Sequence, residues 1–327
     1  MAAAISTDHL SKDYLVGFWR PKPYRALDRL TIEVQSGEVF GFLGPNGAGK
    51  TTTLKLLMQL VFPTSGSAQI LGKPLGDPSM KARIGYLPEN PYFYDYLTAE
   101  ELLAYFADLF GYRGDERKRR VERLLDLVQI GAERRLPLRK FSKGMIQRVG
   151  LAQALINDPE VIFLDEPMSG LDPLGRRDVR SLMLSLRDEG RTIFFSSHIL
   201  GDAETLCSRV GIIAKGRLVA SGALSDMLAF RTRGWEVVVD GASQAALAAL
   251  SQGVVRTHRI ADGQYAIEFD ASRTPEELVA LVTRAGARLR ALTPVRETLE
   301  DFFVKHVNAA SWDRFVDEPE PRIAQLR

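Results

Sequence analysis

A single cysteine, Cys207, stands in a chain of 327 residues, which excludes an internal disulfide and any cysteine-cluster metal site. The four histidines are scattered, with no ligand spacing among them. Long apolar runs are lacking too, since none approaches the roughly 18 residues of a membrane-spanning helix. The opening segment, as far as Tyr14, has neither the charged start nor the long apolar stretch of a secretory signal, so the sequence reads as a soluble chain that stays inside the cell. Charge of one sign is equally scarce. With 43 basic residues against 41 acidic ones the formal net charge is +2, too weak a field to draw the whole protein to nucleic acid or to an anionic membrane. No internal repeat or low-complexity tract is visible.

What the chain does have is a hydrophobic content of 45%, enough for one large domain and a smaller one. Short apolar segments alternate with helical spacing. A strand at 39–43 precedes a helix at 51–60, a strand at 161–164 a helix at 175–189, and a strand at 192–196 a helix at 198–207. That alternation predicts a parallel sheet covered by helices, an α/β fold. Helices at 99–110, 113–128 and 143–156, with no convincing strand between them, predict a helical insertion over about 90–157. Strands at 210–214 and 217–220, joined by Lys215 and Gly216, read as a hairpin closing a first domain at residue 230. From 231 to 307 the pattern is β-α-β-β-α-β plus a helix, the ferredoxin-like split unit, a small α+β domain. The polar stretch 308–327 has no periodicity and is expected to lack fixed structure.

Between the first strand and its helix the chain reads Gly44, Pro45, Asn46, Gly47, Ala48, Gly49, Lys50, Thr51, Thr52. Gly44, Gly49, Lys50 and Thr51 fit the G-x-x-x-x-G-K-[ST] phosphate cradle, and a strand feeding a helix N-terminus is the setting that cradle requires. In it, backbone amides approach phosphates, Lys50 adds charge at the terminal phosphates, and the Thr51 hydroxyl can ligate Mg²⁺. A glycine-rich turn is the plainer alternative. Any metal would therefore arrive with a nucleotide.

An apolar strand ending in Asp165 and Glu166 supplies a second half-site. Asp165 falls at the carboxyl end of a buried strand, where it can hold Mg²⁺, and Glu166 is suited to polarise water. Alone, an Asp-Glu pair is more often a helix cap; the matching phosphate loop and Pro167 argue otherwise. Ser142, Lys143 and Gly144 open a helix whose positive end makes an anion site with no obvious occupant in the same chain. Ser169-Gly170-Leu171-Asp172 follows the acidic strand, and His198 stands after the strand at 192–196.

In this order and spacing the segments resemble the ATP-binding cassette (ABC) family across residues 5–225. The resemblance implies a P-loop ATPase core working as a head-to-tail homodimer with two shared ATP molecules, Ser142 of one copy facing the γ-phosphate held by Lys50 of the other. It further implies Glu166 as catalytic base, Asp165 as the magnesium acid, Asp172 as an inter-subunit coupling residue, His198 as γ-phosphate sensor and Tyr14 as the aromatic stacked on adenine. Two positions depart from the family pattern. Glu89 stands where glutamine is usual, and it could still ligate Mg²⁺ while adding negative charge; Phe141-Ser-Lys-Gly-Met145 replaces Leu-Ser-Gly-Gly-Gln. Both variants, and Glu297-Thr-Leu-Glu-Asp301 near the end, resemble exporter ATPases that serve a separate permease chain. The expectation is an ATPase on the cytoplasmic face of the membrane, with Tyr92, Phe93 and Tyr94 at the permease contact and no nucleic-acid partner. A non-transport ABC ATPase is the rival, but the long heptad insertion and the second cassette of such relatives are missing. The C-terminal unit is read as bracing the dimer or, alternatively, as sensing a ligand.

Overall fold

The computed structural model describes residues 3–17, 19–228, 232–296 and 298–308. These fall into two compact units, the second spanning Ser225–Lys305. The first begins with β1 (Ala3–Val16), β2 (Lys22–Gln35), β3 (Val39–Leu43), α1 (Lys50–Leu57), β4 (Ser65–Ile70), β5 (Lys73–Pro74), α2 (Pro78–Lys81) and β6 (Ile84–Leu87). Helices α3 (Ala99–Leu109), α4 (Gly114–Leu127) and α5 (Lys143–Ala154) follow, where helical spacing predicted them. The chain then re-enters the sheet through β7 (Val161–Asp165), α6 (Pro173–Asp188), β8 (Thr192–Ser197), α7 (Leu200–Leu206), β9 (Arg209–Ala214) and β10 (Arg217–Ala223), and leaves by α8 (Leu224–Met227).

Six strands in the order β10-β9-β3-β8-β7-β6 form the central sheet. All neighbours are parallel except the β9–β10 hairpin. β3, β7 and β8 are buried at every position, which is why their sequences are continuous apolar runs and not alternating ones. Strand register decides which side chains share the sheet edge. β8 lies between β3 and β7, opposing Ser197 to Leu43 on one side and Ser196 to Asp165 on the other. Three strand ends therefore meet at one edge.

A second sheet, β2-β1-β4-β5, is antiparallel and was not foreseen from the sequence. Its long strands carry register shifts between Thr7 and Leu10 and again between Leu10 and Lys12, and His9 and Arg29 sit at positive φ. Each irregularity resets the two-residue alternation by which a half-buried strand is recognised. Helix α1 is shorter than expected because Gln59, at φ 56°, turns the chain out of helical geometry.

The second unit runs β11 (Thr232–Asp240), α9 (Gln244–Ala249), β12 (Val254–Ala261), β13 (Gln264–Asp270), α10 (Pro275–Arg284), β14 (Arg288–Arg296) and α11 (Leu299–Asn308). Its antiparallel sheet is ordered β12-β13-β11-β14. Val237, Val239, Ile267 and Phe269 from the sheet pack with Leu278 and Val282 of α10. Glu297 of the Glu-Thr-Leu-Glu-Asp motif and the stretch 309–327 lie outside the described residues.

The core of the first unit is centred on Phe194, whose ring lies 5.6 Å from Phe40, 5.4 Å from Phe42 and 5.9 Å from Phe163, centroid to centroid. All four are fully buried on the strands that end at the candidate site. Phe194→Ala is expected to lower the unfolding free energy of this unit by about 3–5 kcal/mol, measured by urea denaturation. A loss below about 1 kcal/mol would mean that the ring is not a principal packing element.

Candidate functional site

The loop after β3 is shaped by what it cannot accommodate. A Cβ on Gly44 would lie 2.2 Å from Ile213 O, and one on Gly49, at φ 110°, would lie 2.7 Å from Ala26 O. Only glycine fits either position. Between them Ala48 is buried, while Pro45, Asn46 and Gly47 form the outer curve. Lys50 is the first residue of α1, and the first amides of that helix have no partner within it, so the loop presents N–H groups and a positive helix end together. Thr51 and Thr52 stand in that first turn.

Lys50 is only 6% exposed, and its ammonium is fully engaged. Nζ donates to Gly44 O at 2.8 Å and to Pro45 O at 3.2 Å, and it lies 3.1 Å from Glu166 Oε1. Glu166 sits at φ 49°, in the left-handed region, which turns its side chain back over the strand ends. Its other oxygen, Oε2, accepts from the His198 backbone N–H at 3.3 Å and lies 2.8 Å from His198 Nδ1. His198 precedes α7 and does not belong to it, contrary to the expected helix at 198–207.

Ser196 joins the two acids. Its hydroxyl donates to Asp165 Oδ1 at 2.6 Å and accepts from Glu166 N at 3.0 Å, while Thr51 Oγ1 donates to the same Asp165 oxygen at 3.3 Å. Sequence reasoning missed this serine. The available signal was a pair of hydroxyls ending an otherwise apolar strand just before His198. Also missed was Asp202 on α7, a buried carboxylate whose burial pushes its pKa up; Arg180 is 3.9 Å from Oδ1, and Oδ2 has no hydrogen-bond partner.

Magnesium is the metal that a triphosphate cradle implies. Thr51 and Asp165 are hard oxygen donors side by side, and Asp165 is a desolvated acid whose charge a cation would offset, so the residues present fit the ion. Among the described residues no cluster of three or more His, Cys, Asp or Glu forms a cage. Phosphate oxygens and water would therefore complete the shell, as Mg²⁺ prefers.

Ser142, Lys143, Gly144 and Asp172 form a separate cluster. Ser142 caps α5, its Oγ accepting from Met145 N at 3.2 Å. Lys143 lies across Gly170, where an added Cβ would come within 2.5 Å of Nζ, and a Cβ on Gly144 would be 3.5 Å from Leu171 Cδ2. Asp172 caps α6, accepting from Gly175 N at 2.7 Å. Buried Gln147, one turn along α5, donates to Pro167 O at 3.1 Å and so ties this helix to the loop that leaves Glu166.

Two residues belong to neither cluster. Tyr14, half-buried on β1, has Lys12 Nζ over its ring at 5.2 Å, and Glu89 is exposed beyond β6. The Tyr86 hydroxyl feels both acids: burial pushes its pKa up to about 12, and the charges of Asp165 and Glu89 add to the rise.

Burial also holds the Asp165 carboxyl above its ordinary range, with the Ser196 and Thr51 bonds offsetting only part of the effect. The folded chain thus binds this proton more tightly than the unfolded chain, so the ionised acid costs stability, increasingly as pH rises above the ordinary carboxyl value of 3.8. Asp165→Asn keeps an oxygen for Ser196 and is expected to stabilise the ligand-free protein by about 1 kcal/mol at neutral pH. The gain should shrink as pH falls. Urea melts over a pH series check this, and a loss of stability at neutral pH would contradict it.

Residues 27–169 match the family model described as ABC transporter. The chain is 47% identical, over 94% of its length and 85% of the relative's, to an uncharacterized ABC transporter ATP-binding protein of Synechocystis sp.. It is 33% identical, over 93% of its length and 96% of the relative's, to the bacitracin transport ATP-binding protein BcrA of Enterococcus faecalis. Among solved structures it is similar to a dimeric post-hydrolysis state of an ATP-binding cassette bound to ADP and Pi, with a TM-score of 0.62 and 25% identity over 67% of this chain and 98% of that one. A phosphate loop, an acidic strand end and relatives that match along nearly the whole length agree: the chain belongs to the ABC transporter ATP-binding proteins.

Proposed function

We propose that this protein hydrolyses ATP as the motor subunit of an exporter, pairing with a second copy of itself beneath a separate permease at the cytoplasmic face of the membrane. The observation that carries the reading is the convergence of Lys50, Thr51, Asp165, Glu166 and His198 at one edge of the sheet, with the Ser142 cluster apart from them. The relatives named for bacitracin transport and the dimeric cassette support transport and pairing respectively. Exposed Tyr92 and Tyr94, with half-buried Phe93 between them, support a permease contact at the edge of the helical part.

In this reading the entering triphosphate competes for Lys50, which exchanges the Gly44 and Pro45 carbonyls and Glu166 for terminal phosphate oxygens. Released from that pairing, Glu166 takes a proton from water as the water oxygen bonds to the γ-phosphorus and the bond to the bridging oxygen breaks. His198 keeps Glu166 aimed and contacts the γ-phosphate, and Tyr14 stacks on adenine. Bound magnesium would offset phosphate charge from its place on Thr51 and Asp165, with Glu89 available as a further oxygen donor. Ser142, Lys143 and Gly144 of the second copy close the site, and Asp172 lies at the junction. The second unit braces the pair.

Glu166→Gln is expected to retain ATP binding, to lower turnover by about 10²–10⁴-fold, and to accumulate an ATP-dependent dimer in sedimentation velocity. Turnover within a factor of two of the parent would remove Glu166 from the role of base.

A further inference from the structure

Beyond Tyr14, the end of the β1–β2 hairpin carries none of the residues assigned to the nucleotide site. Every described residue from Leu15 to Arg25 is exposed, with Leu15 at 74%, Trp19 at 89% and Tyr24 at 50%. The register pairs Tyr14 with Tyr24, Leu15 with Pro23 and Val16 with Lys22. Successive pairs point to opposite faces, so apolar side chains emerge on both sides of the ribbon. A ribbon with exposed apolar side chains on both faces offers no single surface to lay into a protein groove; it suits a medium that surrounds it.

Charge in this segment is one-sided. Arg20, Lys22 and Arg25 occur with no acid between Asp13 and Asp28. Arg25 is committed to those two acids, at 2.7 Å from Asp13 Oδ1 and 3.0 Å from Asp28 Oδ1. Arg20 and Lys22 therefore give the tip its net positive charge. Indole and phenol rings set beside long cationic side chains match the boundary between acyl chains and headgroups, where a ring buries its body while its polar edge stays wet. The small net charge of the whole chain does not oppose this, because headgroup attraction is local and falls off within a Debye length.

We infer that the hairpin end, residues 15–17 and 19–24, is a contact for an anionic lipid bilayer, with Leu15, Val16 and Trp19 entering the acyl boundary while Arg20 and Lys22 meet lipid phosphates. The inference rests on the reading that the chain works at a membrane, but it needs no permease.

Trp235→Phe and Trp312→Phe in the full chain leave Trp19 as the one indole. On mixing this protein with phosphatidylglycerol–phosphatidylcholine vesicles at low salt, Trp19 emission is expected to shift to the blue and to gain protection from acrylamide. Both effects should be weaker with phosphatidylcholine alone and should be reversed by high salt. Arg20→Gln with Lys22→Gln is expected to reduce partitioning into the anionic vesicles about 30-fold. Leu15→Ser with Val16→Ser should reduce it as well, with ATP binding unchanged in both variants. The proposal is overturned if Trp19 emission ignores both vesicle types, or if partitioning is indifferent to both pairs of substitutions. It is equally overturned if vesicles never bind and the substitutions instead release a co-purifying membrane protein, since the tip would then fit a protein groove. A chain that binds vesicles but does not pair on ATP would sink the motor reading and leave this one standing.

Discussion

The candidate site depends on one buried contact between opposite charges. Lys50 and Glu166 face each other at 3.1 Å with their side chains 6% and 8% exposed, so each offsets part of the other's cost of leaving water, while their hydrogen bonds go to Gly44, Pro45 and His198. Removing one member of such a pair strands a charge, at a cost of about 3–5 kcal/mol. With Lys50 also donating to the Gly44 and Pro45 carbonyls, the phosphate cradle is folded around its own lysine. On the proposed reading, entry of a triphosphate would be an exchange of partners at Lys50, and the same exchange would free the Glu166 carboxylate. If Glu166 is the base, its pairing with Lys50 would keep the site idle until phosphate displaces it.

What brings those charges together is strand register. β8 between β3 and β7 places Ser196 beside Asp165, and the Ser196 hydroxyl fixes the Asp165 carboxylate and the Glu166 amide at once. The second cluster is linked to the first through backbone: Gln147 holds Pro167, and Lys143 lies across Gly170, both on the loop that leaves the acids. Movement of that loop would reach Ser142 and Glu166 together. If the two clusters are pieces of one anion site, as proposed, their separation within one chain gives a physical reason for a second copy.

Much of this was legible in the sequence because it is local. The phosphate loop is nine consecutive residues at a strand-helix junction, and the apolar run that ends in Asp165 shows its burial directly. The part that was not legible is non-local or conformational. The role of Ser196 exists only once β7 and β8 are in register; the left-handed backbone of Glu166 is invisible in an Asp-Glu-Pro string; Asp202 becomes a buried acid only when α7 packs down. The β1–β2 sheet escaped notice because its bulges break the alternation that reveals a strand, and the same long hairpin carries the bare tip.

The central claim, that a single chain holds only part of a working site, is tested most directly by ATPase activity per molecule across a dilution series, with sedimentation velocity on the same samples. Specific activity is expected to fall as the dimer fraction falls. Constant activity per molecule in samples shown to be entirely monomeric would contradict the claim.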